Sequence, residues 1–130
     1  MTYVICDTNI FIAAFNGVEA TQNELSLIGG HNILMPSITA MELYRGMSNK
    51  EEMARMVRKI KAYNILDFNE DVSQKAVELI HAYKLSHNLQ IPDAIIAALS
   101  MIYNLQLFTY NLKDFRFING IKLYMPTANL

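Results

Sequence analysis

One cysteine, Cys6, is too few for an internal disulfide, so no intrachain cross-link staples this fold. The residue reads as a small core side chain in a reducing compartment, by default the cytoplasm. No apolar run approaches the ~18 residues of a membrane span. Nor does a basic N-terminal region precede a long apolar stretch, so neither a membrane helix nor a signal peptide is expected. Proline (3) and glycine (5) are scarce and no repeat, low-complexity stretch or linker appears, which argues against disorder. A net charge of −1 provides no global pull toward nucleic acid, so any such contact must be local. What is present, 52% hydrophobic and 18% charged residues over 130 positions, describes one globular domain, residues 1–130. A chain of this length withdraws roughly two-thirds of its unfolded surface from water.

Turn signals divide the chain into short apolar runs alternating with helical stretches. Residues 3 to 6 read as a buried strand, and 8 to 16 as a helix stopped by Asn16-Gly17. A second helix spans 18 to 28 and ends at Gly29-Gly30. Asn32 to Met35 reads as a strand stopped by Pro36, and Ser37 is placed to cap a helix reaching Arg45-Gly46. Ser48-Asn49-Lys50-Glu51 has the form of a capping box opening a helix to about Tyr63. After a short strand at Ile65-Leu66, Asn69 caps a helix through about Leu85 whose stripe is Val72, Ala76, Leu79, Ile80 and Tyr83. Pro92 suits the first turn of a helix to about Tyr103, and strands at 106 to 109 and 121 to 124 complete the pattern. Such alternation predicts an α/β fold: a mostly parallel sheet of about four to five short strands covered by helices on both faces.

In an open α/β sheet, ligands gather at the carboxyl edge of the strands. Asp7 directly follows the first strand, Glu42 lies about one turn into the helix after the second, and Asp93 stands in the first turn of the helix opened by Pro92. Asn111 and Asp114 follow the fourth strand, so four sequence-distant segments converge. Each acid also has a plainer explanation. Asp7 could only cap its helix, Thr39 to Glu42 could be a capping box, Asp93 could answer the helix dipole and Asp114 could be a turn residue. Jointly, clustered carboxylates repel and raise one another's pKa values, a cost that a bound cation removes. Oxygen ligands select hard ions, Mg²⁺ or Mn²⁺, and no His or Cys spacing supports zinc. His31, His81 and His87 read as structural or surface residues, and Asp67, Glu70 and Asp71 as caps and dipole partners of the following helix. The methionines, Met41, Met47, Met53 and Met56 among them, read as core filling, with a partner surface as the alternative. Between Lys50 and Lys61 basic residues predominate, with Arg55, Arg58 and Lys59 on one helix face; that face is either simply solvated or a phosphate contact.

Four strings carry a specific resemblance: Ile5-Cys6-Asp7-Thr8-Asn9-Ile10-Phe11-Ile12, Ser37-Ile38-Thr39-Ala40-Met41-Glu42-Leu43-Tyr44-Arg45-Gly46, Ile91-Pro92-Asp93-Ala94-Ile95-Ile96-Ala97-Ala98 and Phe108-Thr109-Tyr110-Asn111-Leu112-Lys113-Asp114-Phe115. In order and spacing they resemble the successive motifs of the PIN-domain family, and within it the VapC-like toxins of toxin-antitoxin pairs. The resemblance implies metal-dependent cleavage of RNA with Mg²⁺, or Mn²⁺ in its place. It places Asp7, Glu42 and Asp93 as metal-binding and catalytic acids, with Thr8 and Asn111 in support. The family's fourth acid falls near Asn111, an amide here, and Asp114 either supplies it or belongs to the Asp-Phe turn. It further implies a cognate antitoxin and a homodimer, while Arg45, Arg55, Arg58 and Lys59 are candidates for RNA contact by charge and position. Two rivals stand beside this reading: a PIN fold that binds RNA or protein without cutting, and a phosphotransfer domain with Asp7 as nucleophile.

Overall fold

A computed structural model describes residues 2–127. Strands Val4–Cys6 (β1), Ile33–Pro36 (β2), Asn64–Leu66 (β3) and Gln106–Phe108 (β4) form one sheet in the order β3-β2-β1-β4, every pairing parallel. Six helices flank it: Thr8–Phe15 (α1), Glu19–Ile28 (α2), Ser37–Arg45 (α3), Lys50–Ile60 (α4), Glu70–His87 (α5) and Ile91–Tyr103 (α6). Alternate strand residues enter different halves of the core, as the two-residue period of a strand requires. Val4, Cys6, Ile33, Met35 and Phe108 pack with α1 to α4, whereas Ile5 and Leu107 pack with α5 and α6. Both faces of β1 are therefore dry, which is why it reads as an unbroken apolar run.

Local chemistry departs from the sequence expectations at a few places. Ser37 is already helical and Pro36 occupies the cap position without a side-chain bond, because its φ of −57° turns the strand straight into α3. The capping box before α4 lies one residue later than expected: Asn49 accepts from the Glu52 N–H at 2.9 Å and Glu52 accepts from the Ser48 N–H at 2.8 Å. Thr39 is inside α3, so Thr39 to Glu42 is no cap. The segment 121 to 124 is not a full strand. It meets β4 at a single bridge, Leu107 to Leu123, because Leu107 alone exchanges bonds with it, through Lys122 O and Tyr124 N. Beyond that bridge, Glu24 takes over: this carboxylate, 1% exposed, accepts from the Tyr124 hydroxyl at 2.6 Å and from the Thr127 N–H at 3.0 Å.

Candidate active site

The carboxyl ends of β1 and β4 lie side by side, with Cys6 paired to Phe108, so the residues that follow them meet. Asp7, only 5% exposed, does cap α1 by accepting from the Thr8 N–H at 2.7 Å with Oδ1. Its Oδ2 faces the other way and accepts from the Thr109 hydroxyl at 2.8 Å and the Asn9 amide at 3.1 Å. Capping and site membership are thus one residue's two oxygens rather than alternatives. Burial pushes the Asp7 carboxyl above its ordinary range despite the Thr109 and Thr8 bonds, and the Glu42 charge adds to the rise.

Glu42 reaches the same place from α3. The Thr8 hydroxyl donates to its Oε1 at 2.9 Å, and that hydroxyl lies 2.9 Å from the buried Thr39 hydroxyl. Since Thr8 has one proton to give, Thr39 is the donor to Thr8, and the relay Thr39 to Thr8 to Glu42 fixes the glutamate's direction. Asp93 arrives on the first turn of α6. Its pKa is pushed up to about 7, first by burial and then by the charges of Asp7, Asp114 and Glu42. Asp93 therefore senses the other three acids, as the convergence of their segments requires.

Asp7, Thr8, Asn9, Glu42, Asp93 and Asn111 line a cleft of about 230 Å³. Asp114 lies on the other side of Asp93, in an adjoining hollow with His87 and Phe117. Asn111 thus shares the acids' cleft while Asp114 acts on Asp93 from next door. The basic residues divide as well. Arg55 and Lys59 line a larger cleft of about 450 Å³ that begins at Glu42, while Arg45 and Arg58 are exposed but line neither it nor the acidic cleft. Arg55, Arg58 and Lys59 share a face of α4 by their i, i+3, i+4 spacing, and the i, i+4 pair of that face lines the cleft. Asp67, Glu70 and Asp71 stay outside both clefts, with Glu70 and Asp71 in the first turn of α5 and Asn69 as its cap.

Three site members escaped sequence reasoning: Asn9, Thr39 and Thr109. Thr109 follows β4 as Asp7 follows β1, so the strand-end argument that found the acid applies equally to this hydroxyl. Asn9 joins Asp7 to the next loop by accepting from the Tyr110 N–H at 3.1 Å, and Tyr110 in turn bonds Thr21 of α2 through its hydroxyl. Thr39 had no such signal, because its partner Thr8 is 31 residues away.

The donor chemistry can be tested against a cation. No three His, Cys, Asp or Glu side chains among the described residues are arranged to hold an ion by themselves. The set is nevertheless all oxygen, and burial together with the neighbouring carboxylate charges raises Asp93 to about 7, a penalty on its charged form that a cation offsets. That combination fits a hard ion that keeps several of its own waters, the habit of Mg²⁺.

The family model for the PIN domain matches residues 4–119. None of the curated proteins matches the chain. Among solved structures, a chain of a toxin-antitoxin complex from Klebsiella pneumoniae is 30% identical, with a TM-score of 0.75 over 91% of this chain and 94% of that one. A chain of VapBC2 from Rickettsia felis, bound to a DNA fragment from their promoter, is 25% identical with a TM-score of 0.76 over 95% and 98%. The DNA-bound VapBC of Salmonella typhimurium shares the fold at 24% identity and a TM-score of 0.79, again over 95% and 98%. With the family model spanning the whole sheet and every acid of the cleft, the chain belongs to the PIN domain family.

Proposed function

We propose that this protein is a metal-dependent endoribonuclease and the toxin of a toxin-antitoxin pair, acting in the cytoplasm on structured RNA. The observation that carries the proposal is the meeting of Asp7, Glu42 and Asp93 in one cleft with Asp114 beside it, where burial first and then the neighbouring charges raise the Asp93 carboxyl to about 7. Asp7 and Asp93 would hold Mg²⁺ directly and Glu42 would complete the set, with Mn²⁺ able to replace it. When bound, the ion lowers the pKa of an attacking water and neutralises charge on the phosphate. The chain's own part is orientation. Thr109 and Asn9 fix Oδ2 of Asp7, Thr8 aims Glu42, and Asn111 offers an amide at the same cleft. Arg55 and Lys59, along the cleft that begins at Glu42, are placed to meet the RNA backbone. Arg45 and Arg58 are at most peripheral contacts.

The Klebsiella and Rickettsia relatives are parts of toxin-antitoxin assemblies, which supports a cognate antitoxin here. The cleft at Glu42 suits it, since Ile12, Phe15, Leu43, Met47 and Met56 give it an apolar wall leading to the acids. An apolar helix seated there would place an Arg of its tail within reach of carboxylates it can bind bidentately in place of the cation. The nearly all-apolar groove of about 340 Å³ between α5 and α6, where Val77 and Ile91 are exposed, supports the homodimer implied by the resemblance. The rival binding-only reading is favoured by the amide at Asn111, where the family's fourth acid falls.

Purified protein free of partner should cut RNA with Mg²⁺ or Mn²⁺ and not in excess chelator. Full activity in chelator overturns the metal mechanism, and no activity with either ion leaves the binding module. Co-expression of the neighbouring gene product should suppress cutting, and replacing the invading Arg by Ala should restore it; a product that neither binds nor inhibits removes the toxin assignment.

A further inference from the structure

Beyond Asp93 the cleft adjoins a hollow of about 190 Å³ whose wall sets neutral and aromatic side chains beside two of the acids. Its lining includes His87, Asn88, Gln90 and Phe117 beside Asp93 and Asp114. The His87 imidazole stacks on Phe117 with ring centres 4.1 Å apart and planes 23° apart. Tyr83 packs against Phe117 at 5.2 Å, and its hydroxyl accepts from the Asn119 N–H at 3.0 Å, so the stack is braced from behind. His87 itself remains exposed, and Phe117 covers only one face of its ring. The next residue, Asn88, ends α5 in the left-handed region at φ 53°, and the Gln90 amide bonds its carbonyl at 2.9 Å. An aromatic shelf bordered by two neutral amides thus stands next to Asp93 at the end of the acidic cleft.

The acids repel any anion that enters without a cation, so the natural occupant of the shelf is a flat, uncharged group. An unpaired base has a free π-face for the ring and polar edges for Asn88 and Gln90. We infer that the His87–Phe117 stack is a seat for an unpaired nucleobase of the RNA, next to the phosphate presented to Asp93. The inference rests on the nuclease reading of the cleft. It implies that the RNA is cut where its bases are unpaired, since a base inside a duplex is already stacked on both faces.

The first measurement is NMR titration of the protein, in chelator, with adenosine and with uridine, uncharged probes that the carboxylates do not repel. The His87 and Phe117 ring protons should move upfield and saturate with at least one of them, and His87→Ala should abolish the shift. The second uses a pool of short RNA hairpins with randomised loops. His87→Ala should raise KM about 5- to 150-fold, the range for losing one stacked base, with a smaller change in kcat. His87→Phe should restore most of the loss. Phe117 packs partly against the core, so its truncation could unfold the chain, and the exposed His87 is the residue to change. If neither nucleoside moves the rings, or if His87→Ala lowers only the melting temperature and leaves KM intact, the stack merely pins the segment after β4 to α5 and the seat is refuted. Unchanged wild-type cleavage in that case leaves the nuclease reading standing, whereas an inert wild type that still binds nucleosides keeps the seat and removes the nuclease.

Discussion

Glu24 is a buried carboxylate and Asp93 a half-buried one, and the fold treats them in opposite ways. Around Glu24 the chain gathers donors: the Tyr124 hydroxyl, the Thr127 N–H and the Thr127 hydroxyl all point at it. Burial and the Glu24 carboxylate beside it push the Tyr124 phenol up to about 12, so that proton stays where the bond needs it. Around Asp93 the chain gathers acids instead, and burial together with their charges raises its carboxyl to about 7. Burial alone therefore does not mark a functional carboxylate. A buried acid surrounded by donors fastens the segment after β4 to α2, whereas one surrounded by acids stores repulsion that a cation can relieve.

The sharpest way to test this contrast is to neutralise each acid in turn. Asp7→Asn and Asp93→Asn should each lower RNA cleavage by about 10³-fold or more while the far-ultraviolet circular dichroism stays native, because several kcal/mol of charge stabilisation is lost at the reaction and little at the fold. Glu24→Ala should do the reverse. It strands the Tyr124 and Thr127 donors and should cost roughly 2–4 kcal/mol in urea unfolding, with activity per folded molecule retained. Loss of folding in the Asp93 variant, or loss of activity without instability in the Glu24 variant, would erase the distinction.

A smaller effect is expected in the pH dependence of stability measured in chelator. The Asp93 pKa is raised on folding, so the native state holds the proton more tightly than the unfolded chain. Its contribution is most favourable below about pH 4 and is lost as pH rises toward 7. Asp93→Asn should flatten that decline and stabilise the protein by roughly 1–2 kcal/mol at pH 8, after allowance for partial exposure. Saturating Mg²⁺ should flatten it in the unmodified protein too. The smallest effect separates the two candidates for the fourth position. Asn111→Ala should raise the Mg²⁺ needed for half-maximal activity a few-fold, since Asn111 shares the cleft, and Asp114→Asn should change it less because it stands behind Asp93. The reverse order would assign the position to Asp114.

Much of this arrangement is legible along the chain. Short apolar runs ending at Asp7 and at Thr109, and Pro92 before Asp93, mark strand ends and a helix start. Those local signals suffice to predict a parallel sheet with acids at its carboxyl edge. Capping details were less legible, because Ser37 and Asn49 differ from their neighbours by one residue of register that backbone dihedrals decide. Periodicity places Arg55, Arg58 and Lys59 on one face of α4, and only the packing of α4 beside α3 decides that Arg55 and Lys59 line the cleft at Glu42.

Sequence alone determined what depends on neighbours in the chain: where strands stop, which acids stand at those stops, and that both faces of β1 must be covered. Tertiary structure decided what depends on distance through space. It made Thr39 the donor behind Thr8, turned Glu24 from a helix residue into the anchor of Tyr124 and Thr127, and set Asp93 among three other acids. The physical reason is that hydrogen bonds and charge repulsion act over a few ångströms, and the sheet order β3-β2-β1-β4 brings together residues as far apart as Asp7 and Thr109.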